Sequence, residues 1–400
     1  MSLLHWILKK RLLRKWRRTR HKSTIRLKVS DVPGLLGDMD ENGIRYVVLR
    51  WPEEVPITTE QKWPSDKDVD ILADIEKKML PVMADIASRR PGPVPCDLYS
   101  ISGRAGTSYL GKPYYPPVLA EDILKNRCRH SMGFYVPQPL WAFRSLAFHL
   151  AYHKGVLSGI PTGCEIQTEP HPKRDYKQRI EELGKSLNIE IEPPYSLLKL
   201  HDYLKQHQWN MPYDLLERYP RRDPWHEYLL RRELDLLRPW AQRLPGLLVF
   251  FIRQDATSPE KLDFITSRLS DKFQIVLKVT LSEDQINRVI RLVRGGNWVQ
   301  GPDLELVRPV IAMITYDHNP VPVDESDQMK KITYPLVRNG NVFVKQQIRE
   351  MLNSKFSTDG EIFGIHGSDN EFEAQHMLRA IYDRHIDEAN NKLAAGLKKP

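Results

Sequence analysis

From Gly246 onward, strand-like and helix-like patterns alternate, and this order constrains the fold more than any other feature of the chain. Leu247-Leu248-Val249-Phe250-Phe251-Ile252 is apolar throughout, as a buried strand is. A helical segment around Pro259 to Leu269 comes next, then the strand-like Phe273 to Val279. Ser282 stands at the next helix start, with Glu283 and Asp284 in its first turn, where acids are favoured. Val307 to Tyr316 reads as another strand, further helices come after it, and a last strand-like run ends in a turn at His366. With alternating crossings, β-α-β-α-β closed by a further strand predicts a ferredoxin-like α+β sandwich.

At 400 residues the chain exceeds one ordinary core, so two or three domains are expected. Upstream, a turn at Asp40 to Gly43 leads into the buried strand Ile44 to Leu49. Asp66 to Leu72 reads as a second strand, Ile75 to Arg89 as a helix and Val94 to Tyr99 as a third strand, which together suggest a mixed α/β unit. Ala120 to Pro245 is mostly helical, through Trp141 to Tyr152, Leu197 to Gln206 and Trp225 to Arg238, with Pro220, Pro239 and the Pro193-Pro194 pair as punctuation. The expected segments are a basic leader helix at 1–28, an α/β domain at 29–120, a helical domain or connector at 121–244 and the sandwich at 245–390.

The chain is 41% hydrophobic and 28% charged, the composition of a globular protein. No run approaches the roughly 18 apolar residues of a membrane span. Residues 3–8 are too short an apolar core for a signal peptide. Cys96, Cys128 and Cys164 lie far apart, which makes neither a disulfide framework nor a zinc ribbon and favours a reducing compartment. The net charge of +9 is concentrated in residues 9–22, where Lys9, Lys10, Arg11, Arg14, Lys15, Arg17, Arg18, Arg20 and Lys22 stand without an acid. The remainder is near neutral, so a general nucleic-acid surface is disfavoured. Leu4, Leu8, Leu12 and Trp16 fall on one helical face, with Ile7 beside them and Leu13 off it. Residues 1–22 therefore suit an anionic membrane surface, docking on protein, or, less well, nucleic acid. The resulting expectation is a cytoplasmic protein, peripheral at the inner face of the membrane if the leader binds lipid. An oligomer is compatible with this composition.

Chemistry-bearing residues gather in the first strand region and at the last strand. Asp68 and Asp70 are two apart on a strand, so they share a face. Crowded carboxylates suit Mg2+, and Asp97 on a later strand could add a third ligand. The plain alternative is a set of solvated acids, Asp66 included. Near the C-terminus, Ile365-His366-Gly367-Ser368-Asp369-Asn370 delivers an imidazole to a turn ahead of a helix beginning near Glu371. A neutral imidazole is a nucleophile toward phosphoryl groups if cations neutralise the oxygens. Arg253, Lys331, Arg338, Lys345 and Arg349 are the candidate cations, and the helix start could meet anionic oxygens. His149 and His153 share a helix face but lack the glutamate of H-E-x-x-H, so packing is the expectation there, as it is for Trp141, Trp225 and Trp240.

Val47-Val48-Leu49-Arg50, Asp68-Val69-Asp70-Ile71-Leu72 and Cys96-Asp97-Leu98-Tyr99 resemble the nucleotidyltransferase-like superfamily, in a branch associated with cell-envelope polysaccharide genes. Ala147 to Gly155 with Ser158 to Pro161 resembles the later helical stretch of that branch. The resemblance implies metal ligation by Asp68, Asp70 and Asp97. Arg50-Trp51-Pro52-Glu53-Glu54 stands where the superfamily places Gly-Ser, and Arg50 is the candidate phosphate contact there. Residues 246–385 resemble nucleoside-diphosphate kinase, through Phe251 to Ala256, Arg308 to Met313, Gln347-Ile348-Arg349 and Ile365 to Asn370. That resemblance implies a phosphohistidine at His366, phosphate contact by Arg349, and a turn organised by Ser368 and Asp369. Arg253 replaces the family's lysine, Gln254 its proline and Phe363 its nucleoside-contacting asparagine.

Three functions are expected from these residues. The first is phosphoryl or nucleotidyl transfer to a small-molecule or glycan-linked acceptor in envelope polysaccharide synthesis, using Mg2+ with ATP or another nucleoside triphosphate. The second is a His366 phosphotransferase whose N-terminal domain recognises the acceptor. The third is a non-catalytic nucleotide-binding scaffold.

Overall fold

A computed structural model describes residues 3–18, 24–56, 64, 67–75, 80–104, 107–220, 223–300, 305–324, 328–358 and 360–397. The chain is mixed α/β and divides into two compact units. Unit 1 holds Met1–Met211 and Tyr219–Glu227; unit 2 holds Pro212–Arg218, Tyr228–Gly301 and Glu305–Pro400.

Unit 1 begins with helix α1 (Leu3–Arg18), strand β1 (Ile25–Val29), α2 (Val32–Glu41), β2 (Tyr46–Val48), β3 (Val69–Ala73), α3 (Leu80–Arg89) and β4 (Val94–Ser100). The sheet order is β1-β4-β3-β2, with β3 and β4 parallel and the outer pairs antiparallel. Ile25, Leu27 and Val29 alternate inward from β1 while Arg26 and Lys28 point away. They join Leu35, Leu36, Ile71, Ile86 and Leu98 in one core. This strand lies within and just beyond the stretch expected as leader helix, a difference with a clear cause. The basic run hides a period-two pattern that becomes visible only at Ile25-Arg26-Leu27-Lys28-Val29. The helical part of the leader docks: Leu12 and Leu13 pack on the core, and His5 Nε2 and Lys9 Nζ meet Asp85 Oδ1 at 3.2 and 2.5 Å. Trp6 and Ile7 remain exposed, with the Lys10 ammonium over the Trp6 ring. The side chains of Leu4 and Trp16, and residues 19–22, lie outside the described residues.

Next come α4 (Pro117–Lys125), the small hairpin β5 (Arg127–Arg129) and β6 (Tyr135–Pro137), α5 (Pro139–Phe148), α6 (Tyr176–Ser186) and α7 (Leu197–Gln206). These belong to the same unit as the first sheet. A π-helical turn, His149–Lys154, continues α5 and buries His149 and His153.

Unit 2 contains α8 (Tyr213–Glu217) and most of α9 (Pro224–Arg243), which runs through Pro239 rather than ending before it. Then come β7 (Leu247–Arg253), α10 (Pro259–Ser270), β8 (Gln274–Thr280), α11 (Glu283–Leu292), the short β9 (Val299–Gln300) and β10 (Glu305–Leu306), and β11 (Pro309–Tyr316). The unit closes with α12 (Gln328–Thr333), α13 (Val344–Phe356), β12 (Ile365–Gly367), α14 (Glu371–Tyr382) and α15 (Ile386–Gly396). Its main sheet is antiparallel throughout, in the order β12-β7-β11-β8. Ser282 caps α11 in a reciprocal capping box with Gln285, as its sequence predicts. Phe250, Ile252, Ile265, Met313, Ile348 and Ile365 form the core beneath His366. No helix among the described residues is long and apolar enough to cross a membrane.

Candidate functional site

In unit 1, strand register sets the charges in a row. Asp70 of β3 pairs with Asp97 of β4, which pairs in turn with Arg26 of β1, so the three side chains share one face. Asp68 precedes β3 by one residue. Arg26 grips Asp97 with both arms, at 2.7 Å each, and reaches Asp68 Oδ2 at 2.8 Å. The two guanidinium-to-carboxylate bonds form the planar fork that arginine favours.

Arg50 follows β2 with φ near +69°, a left-handed conformation costly for a side-chain-bearing residue. The turn folds its guanidinium back onto Asp70, a pair whose side chains are 4% and 13% exposed. Burial would draw Arg50 down, but Asp70 outweighs it and holds Arg50 well above its ordinary range. Burial, then Asp70 and Asp97, raise Asp68 from its ordinary value despite both arginines.

A polar chain continues inward from this pair. Arg50 Nη1 donates to Tyr114 Oη at 3.0 Å, Tyr114 Oη is bonded to His149 Nδ1, and His149 Nε2 lies 3.2 Å from Tyr176 Oη. Because arginine only donates, Tyr114 Oη is the acceptor from Arg50. His153 Nε2 donates to the Tyr114 carbonyl at 2.7 Å, and Nδ1 faces Tyr219 Oη at 2.7 Å. Burial pushes His149 well below its ordinary value and His153 to about 3, so both rings are neutral near pH 7. The histidines thus serve packing and hydrogen bonding.

Asp68, Asp70 and Asp97 are brought together, but their oxygens face Arg26 and Arg50. Among the described residues, no group of three or more histidine, cysteine or acidic side chains is arranged to hold a metal ion. Asp66 lies outside the described residues.

In unit 2, His366 is held in the middle of β12 opposite Phe251 of β7 rather than in the turn itself. Asp255 fixes the approach to this strand by accepting from the Phe363 and Gly364 amides at 2.7 and 3.1 Å. A Cβ at Gly367 would stand 2.5 Å from the buried Phe250 ring, so only glycine lets β12 approach β7 this closely. The Trp298 indole meets the His366 ring edge-on, with centroids 5.6 Å apart. His366 Nε2 is enclosed and has no hydrogen-bond partner.

Four cations surround that ring. Burial, then Arg294, Lys345, Arg253 and Arg349, push His366 well below the usual histidine range. Arg253 ends β7 at 1% exposure, and its guanidinium lies 5.3 Å from the Trp298 centroid. Burial together with Arg294 and Arg349 draws Arg253 down. A guanidinium keeps its charge in proteins, so the like charges stay crowded around the ring. Arg349 Nε donates to the Ile365 carbonyl at 2.8 Å. Lys345 donates to the Gly367 carbonyl at 2.9 Å and to Asp369 Oδ1 at 2.5 Å.

Sequence reasoning missed Arg294. It sits in an Arg294-Gly295-Gly296 turn with φ positive throughout, and Asp214 clamps the Gly295 amide at 2.9 and 3.0 Å. The adjacent glycines were the available signal, but they do not reveal which way the arginine faces. Arg26 was likewise missed because it lay inside the presumed leader. Ser368 turns to β7, its Oγ accepting from the Val249 amide at 3.1 Å, and so organises backbone. Asp369 joins Lys345 and Arg218, the latter at 2.7 Å. Asn370 and Glu373 satisfy the start of α14 themselves: Asn370 Oδ1 accepts from the Glu373 amide at 2.9 Å, and Glu373 Oε2 from the Asp369 amide at 2.6 Å. Arg338 is exposed and pairs with Glu371 at 3.3 Å. The Lys331 side chain lies outside the described residues.

No protein-family model, curated protein or solved structure matches the chain.

Proposed function

We propose that the chain is a phosphotransferase in which His366 accepts a phosphoryl group and passes it to a small acceptor. The observation that carries this reading is the enclosed, unpartnered Nε2 of an imidazole kept neutral amid Arg253, Arg294, Lys345 and Arg349. In the first step, a ring-nitrogen lone pair forms the N–P bond. The donor's bridging P–O bond breaks, and its electron pair leaves with the oxygen. The arginines stabilise charge on the transferring oxygens. An acceptor hydroxyl then attacks phosphorus, loses its proton to solvent and restores the free imidazole.

The antiparallel order β12-β7-β11-β8, with helices between strands, supports a ferredoxin-like, nucleoside-diphosphate-kinase-like sandwich for unit 2. The mixed sheet and carboxylate row support a nucleotidyltransferase-like unit 1. Phe363 in place of the family's asparagine argues for donors without strict nucleoside recognition. An envelope-glycan acceptor is the expectation drawn from the resemblance of unit 1.

The test is incubation with γ-labelled ATP and a panel of other phosphoryl donors. A phosphoryl group that is acid-labile and base-stable, and absent in His366→Ala, is expected; no label from any donor would reject the reading.

A second reading, metal-assisted nucleotidyl transfer, is favoured by strand register, which sets Asp70 beside Asp97 with Asp68 two residues before Asp70. Asp68, Asp70 and Asp97 would hold Mg2+, which supplies charge neutralisation for a triphosphate. Arg26 is half-exposed, so it is the group able to release Asp97 and Asp68. Pyrophosphate release lost in Asp97→Asn, without any label on His366, would assign turnover to unit 1.

The exposed Trp6 and Ile7 beside Lys10, Arg11 and Arg14 suit an anionic lipid surface. Trp6→Ser/Ile7→Ser is expected to reduce sedimentation with phosphatidylserine vesicles, and unchanged sedimentation would remove the membrane role.

A further inference from the structure

A second cationic cavity lies in unit 1, formed by residues with no part in the carboxylate row. It has a volume of about 390 Å3 and is lined by His171, Lys173, Arg174, Tyr176 and Lys177, with Asp175 as an acid on its wall. Asp175 is committed to the helix start, where its Oδ1 accepts from the Gln178 amide at 2.9 Å. The Lys154 ammonium stands 3.2 Å from His171 Nε2 and adds a further cation.

Arg174 is the fixed point of this cavity. Its side chain is 9% exposed, it pairs with Glu54, and its guanidinium lies 4.7 Å from the Trp51 ring centroid. A guanidinium held on an indole face and by a carboxylate has little freedom left, so its remaining N–H directions are preset. Tyr176 is positioned with similar definition. Its oxygen lies 3.2 Å from His149 Nε2. Through His149, Tyr114 and Arg50, this hydroxyl is joined to the buried Asp70.

We propose that this cavity is a binding site for a diphosphate-bearing small molecule, with Lys173, Arg174 and Lys177 as donors. Its size exceeds what a single phosphate needs, and Lys173, Arg174 and Lys177 contribute cations to its lining. Crowding of like charge supports the assignment: burial, then Lys154, Lys173 and Arg174, lower His171 to about 4. An anion entering the cavity meets the positive field of those three cations. The site belongs to unit 1 and His366 to unit 2, and the assignment is independent of the phosphohistidine reading.

Equilibrium dialysis with radiolabelled inorganic pyrophosphate tests it. The full chain is used with Arg294→Ala/Arg349→Ala as background, so that two of the four cations around His366 do not contribute. Saturable binding is expected in that background. Adding Lys173→Glu/Lys177→Glu should weaken it roughly tenfold or more. The lysines are exposed, so their reversal leaves the core intact. Undiminished binding after the lysine reversal, or no saturable binding in the background chain, overturns the proposal. Label at His366 is measured in parallel in Lys173→Glu/Lys177→Glu, where the two unit 2 arginines are native, and is expected to persist. Loss of label there together with loss of pyrophosphate binding would contradict the independence of the two sites.

Discussion

Asp70→Leu, with Arg50 left in place, should lower the unfolding free energy of unit 1 by about 3–5 kcal/mol. The change strands a guanidinium whose side chain is 4% exposed. Its contacts with the Tyr114 and Tyr115 hydroxyls are to neutral groups, which cannot offset a buried charge. Asp70→Leu with Arg50→Met removes both charges and restores apolar volume, so it should recover most of the loss. Even then the left-handed backbone at residue 50 remains, at a cost on the order of 1 kcal/mol. Urea denaturation followed by tryptophan fluorescence measures both variants. Equal destabilisation of the single and double variants would show that the ion pair is not the source. Asp97→Asn should cost far less, because Arg26 is half-exposed and water replaces the lost contact.

The second large effect concerns the rate of His366 labelling. Arg294→Ala and Arg349→Ala should each slow labelling about 10²–10³-fold, the range seen when one donor to a developing negative charge is removed. Asp214→Ala should reproduce part of the Arg294 effect, because Asp214 holds the Gly295 amide and thereby the turn that carries Arg294. The pH profile separates this site from an ordinary histidine. An unperturbed imidazole loses half its nucleophilic form near pH 6.5. His366 lies well below that value, through burial and then the surrounding cations, so it stays neutral as pH falls. Labelling rate, corrected for donor ionisation, should therefore be level between pH 8 and 6. A fall centred near pH 6.5 would place the imidazole in water instead. The same depression costs stability in acid: the unfolded chain takes up the proton first, so stability declines as pH drops below about 6.5.

Much of the fold could be read from the chain because apolar periodicity is a local property. The strand Leu247–Arg253 and the helix Pro259–Ser270 arise closely from their residues. The capped start at Ser282 is equally local. Local reading failed where two signals overlapped. The basic leader concealed β1, and Pro239 suggested a stop inside α9.

The same distinction divides the candidate sites. By itself, the sequence determined that Asp68 and Asp70 share a face, since side chains alternate along an extended chain. It also determined that His366 sits at the final strand, ahead of a helix. Only the tertiary structure decided which partners those groups meet. Arg26 reaches Asp97 through antiparallel register, Arg50 returns to Asp70 through a left-handed turn, and Arg294 faces His366 from a glycine turn held by Asp214. Each of those contacts joins residues far apart in the chain. Charge pairing acts through space, and register, turn handedness and burial select which partner each charge finds.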